Sequence, residues 1–133
     1  MTSYVDTSAL LKRYVAEADS GLAQLLLASD TLITSRITVV EVRRNLARLV
    51  SAAEMTLARS LFAADLRSID VIEVDAGVCE LAAELGEVTG VRTLDSIHLA
   101  SARRVGGTLI PFITFDVAQA QAARSMGMTV LGA

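Results

Sequence analysis

The chain is poor in residues that cross-link or stack. It has one cysteine, one histidine, no tryptophan, two tyrosines and three phenylalanines among 133 residues. A single cysteine cannot form an internal disulfide bond, and cysteine metal motifs are excluded with it. The few aromatic residues do not form the spaced platform on which a single-strand-binding protein stacks bases. No apolar run approaches the ~18 residues that span a bilayer, and the first residues lack the basic side chains of a secretory signal. We therefore expect a cytoplasmic protein.

Lysine is also nearly absent, because the 12 basic residues are eleven arginines and Lys12. With 15 acidic residues the net charge is −3, which argues weakly against a surface devoted to binding a polyanion. Without the four acids discussed below, 12 basic residues stand against 11 acidic ones. A nucleic-acid substrate therefore stays open, and arginine is well suited to bidentate contact with phosphate.

Strand-like and helix-like segments alternate along the chain. Five short β-branched runs predict strands, and the alanine- and leucine-rich segments between them have helical spacing. The predicted strands are 3–5, 31–34, 71–74, 109–114 and 129–131, and the predicted helices are 8–16, 21–28, 37–50, 54–66, 76–87, 94–105 and 117–125. Such alternation implies a parallel sheet covered on both faces. We expect one domain over 1–133, a three-layer α/β sandwich.

Four acids lie at or within one turn of the ends of these predicted elements. Asp6 and Asp116 each follow an apolar strand, Asp95 lies where a helix begins, and Glu41 lies one turn into another helix. In open parallel sheets, ligands bind beyond the carboxyl ends of the strands, so the four can share one crevice. Carboxylates so close repel unless a cation neutralises them. Oxygen ligands of this kind suit Mg²⁺ or Mn²⁺.

Each acid taken singly has an ordinary structural interpretation. Asp6 and Asp116 can cap the helices that follow them. Asp95 in a first turn complements the helix dipole. Glu41 can pair with Arg44 across one helical turn. The functional interpretation therefore depends on all four acids together.

Four blocks in order resemble a PIN domain, and more narrowly the toxin ribonucleases of VapBC-type toxin–antitoxin pairs. The blocks cover essentially the whole chain. They are Asp6-Thr7-Ser8-Ala9-Leu10, Ser35 with Glu41, Leu94-Asp95-Ser96-Ile97-His98-Leu99-Ala100, and Thr114-Phe115-Asp116 with Ala122-Ala123.

This resemblance implies a five-stranded parallel sheet in the order 3-2-1-4-5, RNA as substrate and an antitoxin protein as partner. By match, the catalytic and Mg²⁺- or Mn²⁺-binding residues are Asp6, Glu41, Asp95 and Asp116, with Thr114 as a supporting hydroxyl. Thr7 and Ser8 are expected to hold the first acid or a water, or to cap the helix. The apolar composition, 53% with a mean hydropathy of +0.51, adds the expectation of a homodimer.

Several other residues carry expectations. Gln119 departs from the apolar residue, usually leucine, of many relatives, which puts the packing of the last helix in question. His98 lies one turn after Asp95 and is expected to be a hydrogen-bonded structural histidine. Cys79 is expected in the core. The candidate RNA-binding residues are Arg36, Arg92 and Arg44, while Arg43 and Arg48 fit a solvated helix face equally well.

Three classes of function compete. The leading one is a metal-dependent endoribonuclease that cleaves RNA by a metal-activated water, either in a toxin pair or as a PIN-fold RNA-processing nuclease outside one. A phosphoacceptor receiver domain would also have an acidic Mg²⁺ site, but it needs a lysine at the end of a late strand, and Lys12 lies in the first predicted helix. A non-catalytic binding domain would not need the intact acidic quartet.

Overall fold

The computed structural model describes residues 1–28 and 31–133. The strands are β1 Thr2–Val5, β2 Thr31–Ser35, β3 Asp70–Ile72, β4 Phe112–Thr114 and β5 Val130–Gly132. The helices are α1 Thr7–Leu11, α2 Ser20–Leu26, α3 Ile37–Leu49, α4 Ala52–Leu66, α5 Ala76–Thr89, α6 Thr93–Val105 and α7 Val117–Ser125. The strands form one parallel sheet in the order β3-β2-β1-β4-β5. The expected three-layer fold and strand order are confirmed.

Alternate side chains of the central strands enter two separate cores. Tyr4 and Phe112 stack with ring centroids 5.2 Å apart and belong to the core formed with α5, α6 and α7. Val5 and Ile113 belong to the core on the opposite face, with α1 to α4. Strands buried on both faces need apolar residues at successive positions, which explains why β1 and β4 read as short apolar runs.

The register places the ends of the two central strands side by side. β1 and β4 are neighbours, and Val5 lies opposite Ile113. The Asp6 amide donates a 3.1 Å hydrogen bond to the Ile113 carbonyl, so the pairing continues up to the acid. Because parallel strands end at the same edge of a sheet, the residues that follow β1 and β4 lie together.

Two predicted boundaries are wrong by more than two residues. The first helix ends at Leu11 and not at residue 16, because the amides of residues 12–14 bond to carbonyls three residues earlier and tighten the last turn. The strand predicted over 109–114 begins only at Phe112. A 3₁₀ helix, Gly107–Leu109, precedes it, and the Leu109 side chain is 88% exposed. Gly107 has a φ of 55°, which favours glycine, and it turns the chain just before the predicted strand.

The expected burial of Cys79 is also wrong, because this side chain is exposed on α5. That helix turns Val78, Ala82 and Leu85 toward the core. Cys79 follows Val78 by one residue, about 100° further round the helix, and so leaves the buried face. Within the residues described, none of the helices combines the length and the hydropathy needed to cross a bilayer.

Candidate active site

A cleft of about 770 Å³ opens at the carboxyl edge of the sheet. All four candidate acids line it, although they come from the end of β1, from α3, from α6 and from the start of α7. The lining residues are Asp6, Thr7, Ser8, Leu11, Glu41, Asn45, Arg48, Arg92, Thr93, Leu94, Asp95, His98 and Asp116.

Asp6 is both a helix cap and the most buried of the four acids. It is 3% exposed, and its Oδ1 accepts from the Ala9 amide at 3.1 Å and from the Ser8 hydroxyl at 2.7 Å. Its Oδ2 accepts from the Thr114 hydroxyl at 2.5 Å. Burial raises the pKa of the Asp6 carboxyl, although the charge of His98 and these hydrogen bonds act in the opposite direction. The hydroxyls therefore fix the orientation of an acid whose charged form is disfavoured by burial.

Glu41 is held by a second group of hydrogen bonds. Its Oε1 accepts from the Thr7 hydroxyl at 2.7 Å and from His98 Nε2 at 2.8 Å. Since a carboxylate only accepts, Nε2 donates, and in the neutral ring Nδ1 accepts from the Tyr4 hydroxyl at 2.8 Å. Burial acts to raise the pKa of the Glu41 carboxyl, but His98 and Thr7 together bring it below its ordinary value. His98 is thus hydrogen-bonded as expected, with Glu41 as its partner and not Asp95.

Asp95 and Asp116 face each other across an arginine. Asp116 caps α7 by accepting a hydrogen bond from the backbone amide of Gln119 at 2.9 Å, and Asp95 lies in the first turn of α6. Arg92 Nε lies 3.7 Å from Asp95, and its Nη2 lies 3.9 Å from Asp116. Burial raises the pKa of the Asp95 carboxyl, and the charge of Asp116 raises it further. This half of the cleft therefore has an excess of negative charge that Arg92 only partly offsets.

The donor chemistry of the cleft fits Mg²⁺ or Mn²⁺. Its acids offer only oxygen, and the mutual repulsion of Asp95 and Asp116 is what a divalent cation would relieve. Across residues 1–28 and 31–133, however, no three His, Cys, Asp or Glu side chains stand close enough to hold one ion as they are placed. The residues fit the ion by chemistry, and their side chains would have to turn inward to surround it.

The structure separates the predicted arginines. Arg92 lines the cleft, whereas Arg36 is not among the lining residues and pairs with Glu73 at 2.5 Å. Arg44 is exposed on α3 and is also absent from the lining. Arg48 is exposed, as the solvated-face interpretation predicts, and it also lines the cleft.

Sequence reasoning missed Asn45 altogether. A signal was available, because Glu41, Asn45 and Arg48 follow one another at intervals of four and three residues and so share one helix face.

Two further residues bear on the expectations from sequence. Lys12 pairs with Asp19 at 2.8 Å and with Glu17 at 3.3 Å, and it does not line the cleft, which leaves the receiver-domain interpretation without its lysine.

Gln119 is fully buried, and neither polar atom of its side chain has a hydrogen-bond partner among the described residues. An unpaired buried amide costs about 1–3 kcal/mol, so α7 forms over its predicted range at reduced stability.

A parallel sheet in this strand order, with an acidic cleft at its carboxyl edge, is the architecture of a PIN domain, and residues 3–125 match the model of that family. The chain belongs to the PIN domain family and, within it, to the VapC-type proteins.

Among curated relatives, Ribonuclease VapC46 of Mycobacterium tuberculosis is 34% identical over 129 residues, which are 96% of this chain and 95% of the relative.

Solved structures show the same fold at lower identity. VapC20 of Mycobacterium tuberculosis, described as a sarcin-ricin loop cleaving toxin, aligns with a TM-score of 0.68 at 21% identity, over 92% of this chain and 95% of that one. VapBC-5 of the same organism, described as a member of the VapBC family of toxin-antitoxin systems, aligns with a TM-score of 0.67 at 20% identity, over 99% and 98% of the two chains.

Proposed function

We propose that this protein is a metal-dependent endoribonuclease and the toxin of a type II toxin–antitoxin pair. One observation carries the proposal: Asp6, Glu41, Asp95 and Asp116, which are 110 residues apart at the extremes, line a single cleft. The name of the ribonuclease relative and the description of VapC20 as a loop-cleaving toxin support RNA as the substrate.

The four acids would hold one or two Mg²⁺ ions, for which Mn²⁺ can substitute. When bound, such an ion orients the scissile phosphate and lowers the pKa of a water. The chain's own residues prepare this site: Thr114 and Ser8 orient Asp6, while Thr7 and His98 orient Glu41. Arg92, which lines the same cleft within 4 Å of Asp95 and Asp116, would bind a phosphate of the RNA through its guanidinium.

The single histidine argues against a different chemistry. Ribonucleases that use the 2′-hydroxyl of the substrate as nucleophile need a general base and a general acid, often two histidines. Here His98 is 2% exposed, and its two nitrogens are engaged with Tyr4 and Glu41. We therefore infer attack by water in line with the departing 3′-oxygen, which leaves a 5′-phosphate and a free 3′-hydroxyl.

The test is cleavage of a single-stranded RNA with analysis of the fragment ends. EDTA should abolish cleavage, Mg²⁺ or Mn²⁺ should restore it, and the products should carry 5′-phosphates. Asp116→Asn should lower the rate at least 100-fold, the scale of one electrostatic contact at a reacting centre. Asp70→Asn removes the same charge from an exposed residue outside the cleft and should leave the rate unchanged. A 2′,3′-cyclic phosphate, or cleavage that persists in EDTA, would contradict the proposal.

The proposal includes two protein partners. The description of VapBC-5 as a member of the VapBC family of toxin-antitoxin systems supports a cognate antitoxin. We also propose a homodimer, which the apolar composition of 53% supports. The reading frame immediately upstream should then encode a short, charged, DNA-binding protein. A PIN-fold RNA-processing nuclease outside a toxin pair would lack such a neighbour.

A further inference from the structure

One face of α3 presents a polar row to the cleft. The row begins at Glu41 and continues through Asn45 and Arg48, and all three residues line the cavity. Their spacing of four and three residues keeps them on one side of the helix, so the row extends about 10 Å from the acid. The cleft therefore continues beyond the four carboxylates along this helix.

The row is connected by hydrogen bonds. Asn45 Nδ2 donates to the Glu41 carbonyl at 2.9 Å, and Asn45 Oδ1 accepts from Arg48 Nη2 at 3.0 Å. Asn45 thus fixes one amino group of the guanidinium against α3. The remaining donors of Arg48 have no hydrogen-bond partner within the described residues. An arginine oriented in this way loses less side-chain entropy on binding a ligand than a free one.

The charge of Arg48 is unbalanced. Only two arginines line the cleft, and Arg92 already lies within 4 Å of Asp95 and Asp116. Arg48 has no carboxylate within ion-pair distance in the part of the chain that the structure describes. A guanidinium that is oriented by Asn45 but has no carboxylate partner among the described residues suits a planar, bidentate contact with phosphate.

We propose that Arg48, positioned by Asn45, binds a backbone phosphate of the RNA substrate beside the scissile one. This inference rests on the proposed function and adds a subsite to it. The substrate strand would then cross the acids and continue along the outer half of α3. Arg48 binds the strand without taking part in the chemistry, so it governs KM and not kcat.

The test compares Arg48→Ala with Arg43→Ala in steady-state cleavage of a short single-stranded RNA in Mg²⁺. Arg43 is exposed on the same helix but lies about 140° away from Arg48 around its axis, and it does not line the cleft. Arg48→Ala should raise KM about tenfold, with kcat changed less than twofold, whereas Arg43→Ala should change neither. The slope of log(1/KM) against log[salt], which is negative, should become less negative by about 0.7 for Arg48→Ala only, as expected for one lost contact with a single strand.

Two more variants separate charge from orientation. Arg48→Lys keeps the charge but lacks the bidentate guanidinium. Its KM should therefore lie between those of the wild type and Arg48→Ala. Asn45→Ala should raise KM less than Arg48→Ala, with a wild-type salt slope, because the charge remains. Equal KM values for Arg48→Ala and Arg43→Ala, with wild-type protein cutting RNA, would overturn the subsite and leave the proposed function intact. Wild-type protein that neither binds nor cuts RNA would overturn both.

Discussion

At the scale of single residues, one side chain often serves both the fold and the site. Asp6 and Asp116 are helix caps, and the same carboxylates line the cleft. The structural and functional interpretations of these acids are therefore compatible. A cap fixes the backbone around the acid and leaves the second carboxylate oxygen available, as in Asp6, where Oδ1 serves the cap and Oδ2 accepts from Thr114.

Asp6→Asn tests the shared site through stability as well as metal binding. Because burial raises the pKa of Asp6 in the folded state, the native protein binds this proton more tightly than the unfolded chain. Stability from this group is therefore lost as the pH rises from the ordinary value of 3.8 through the raised pKa. In EDTA at pH 7, Asp6→Asn should melt at or above the wild-type temperature, and the difference should shrink toward pH 4.

The same variant should bind Mn²⁺ at least tenfold more weakly than wild type, measured by titration calorimetry, because it lacks one anionic ligand. Asp70→Asn serves again as the matched control, since its carboxylate is exposed and outside the cleft. Wild-type Mn²⁺ affinity in Asp6→Asn would mean that the acids do not form one metal site.

That the four acids line one cleft could be predicted from sequence, whereas their hydrogen-bond partners could not. Asp6, Asp95 and Asp116 are marked by their place at a strand end or helix start, and Glu41 by its place one turn into a helix, which are local features of the sequence. The bond from His98 to Glu41 joins residues 57 apart in sequence, and its choice over Asp95 depends on how α6 packs against α3. Likewise, Arg44 and Arg48 differ by about 40° on the helical wheel, and only the packed structure decides which one reaches the cleft.

At the scale of elements, the order of strands and helices could be predicted because β-branched runs and helical spacing alternate clearly. The ends could not always be predicted. The apolar run 109–114 has the composition of a strand throughout, but the glycine conformation at 107 and the 3₁₀ turn after it hold Leu109 out of the sheet. Tertiary placement overrides local propensity there.

Two glycines should respond to alanine in opposite directions. Gly132 ends β5 opposite Thr114 with a φ of +109°, and an added Cβ would clash with the Thr114 carbonyl oxygen. Gly132→Ala should therefore lower the free energy of unfolding by about 1–3 kcal/mol. A Cβ added at Gly21 in α2 would meet no atom within 4 Å, so Gly21→Ala should raise the free energy of unfolding by about 0.5 kcal/mol. Urea denaturation measures both.

The consequence of Gly132→Ala reaches the site, because Thr114 donates to Asp6. Cleavage by this variant should fall more than its loss of stability alone explains, and Gly21→Ala should cleave as wild type. Equal free energies of unfolding for the two variants would contradict the expected clash and show that β5 shifts without cost to accommodate the added methyl group.

At the scale of the whole molecule, the outer surface carries four exposed leucines on α2 and α4. Leu22 and Leu25 on α2 are 46% and 76% exposed, and Leu57 and Leu61 on α4 are 65% and 48% exposed. Buried residues of α4 belong to the core that lies on the α1-to-α4 face of the sheet, and Leu26 of α2 packs against it. These leucines therefore lie in one helical layer, where a partner helix could cover them.

The proposed antitoxin should bind this layer. Burying a leucine contributes about 1.5–3 kcal/mol, so Leu25→Glu with Leu57→Glu should weaken binding of the upstream-encoded protein at least tenfold by calorimetry. Val88→Glu, at an 84% exposed residue of α5 in the opposite layer, should bind as wild type. The chain alone should sediment as a dimer, and co-expression of its neighbour should suppress RNA cleavage. A chain that stays monomeric at high concentration, with activity indifferent to that neighbour, would contradict both proposed partners.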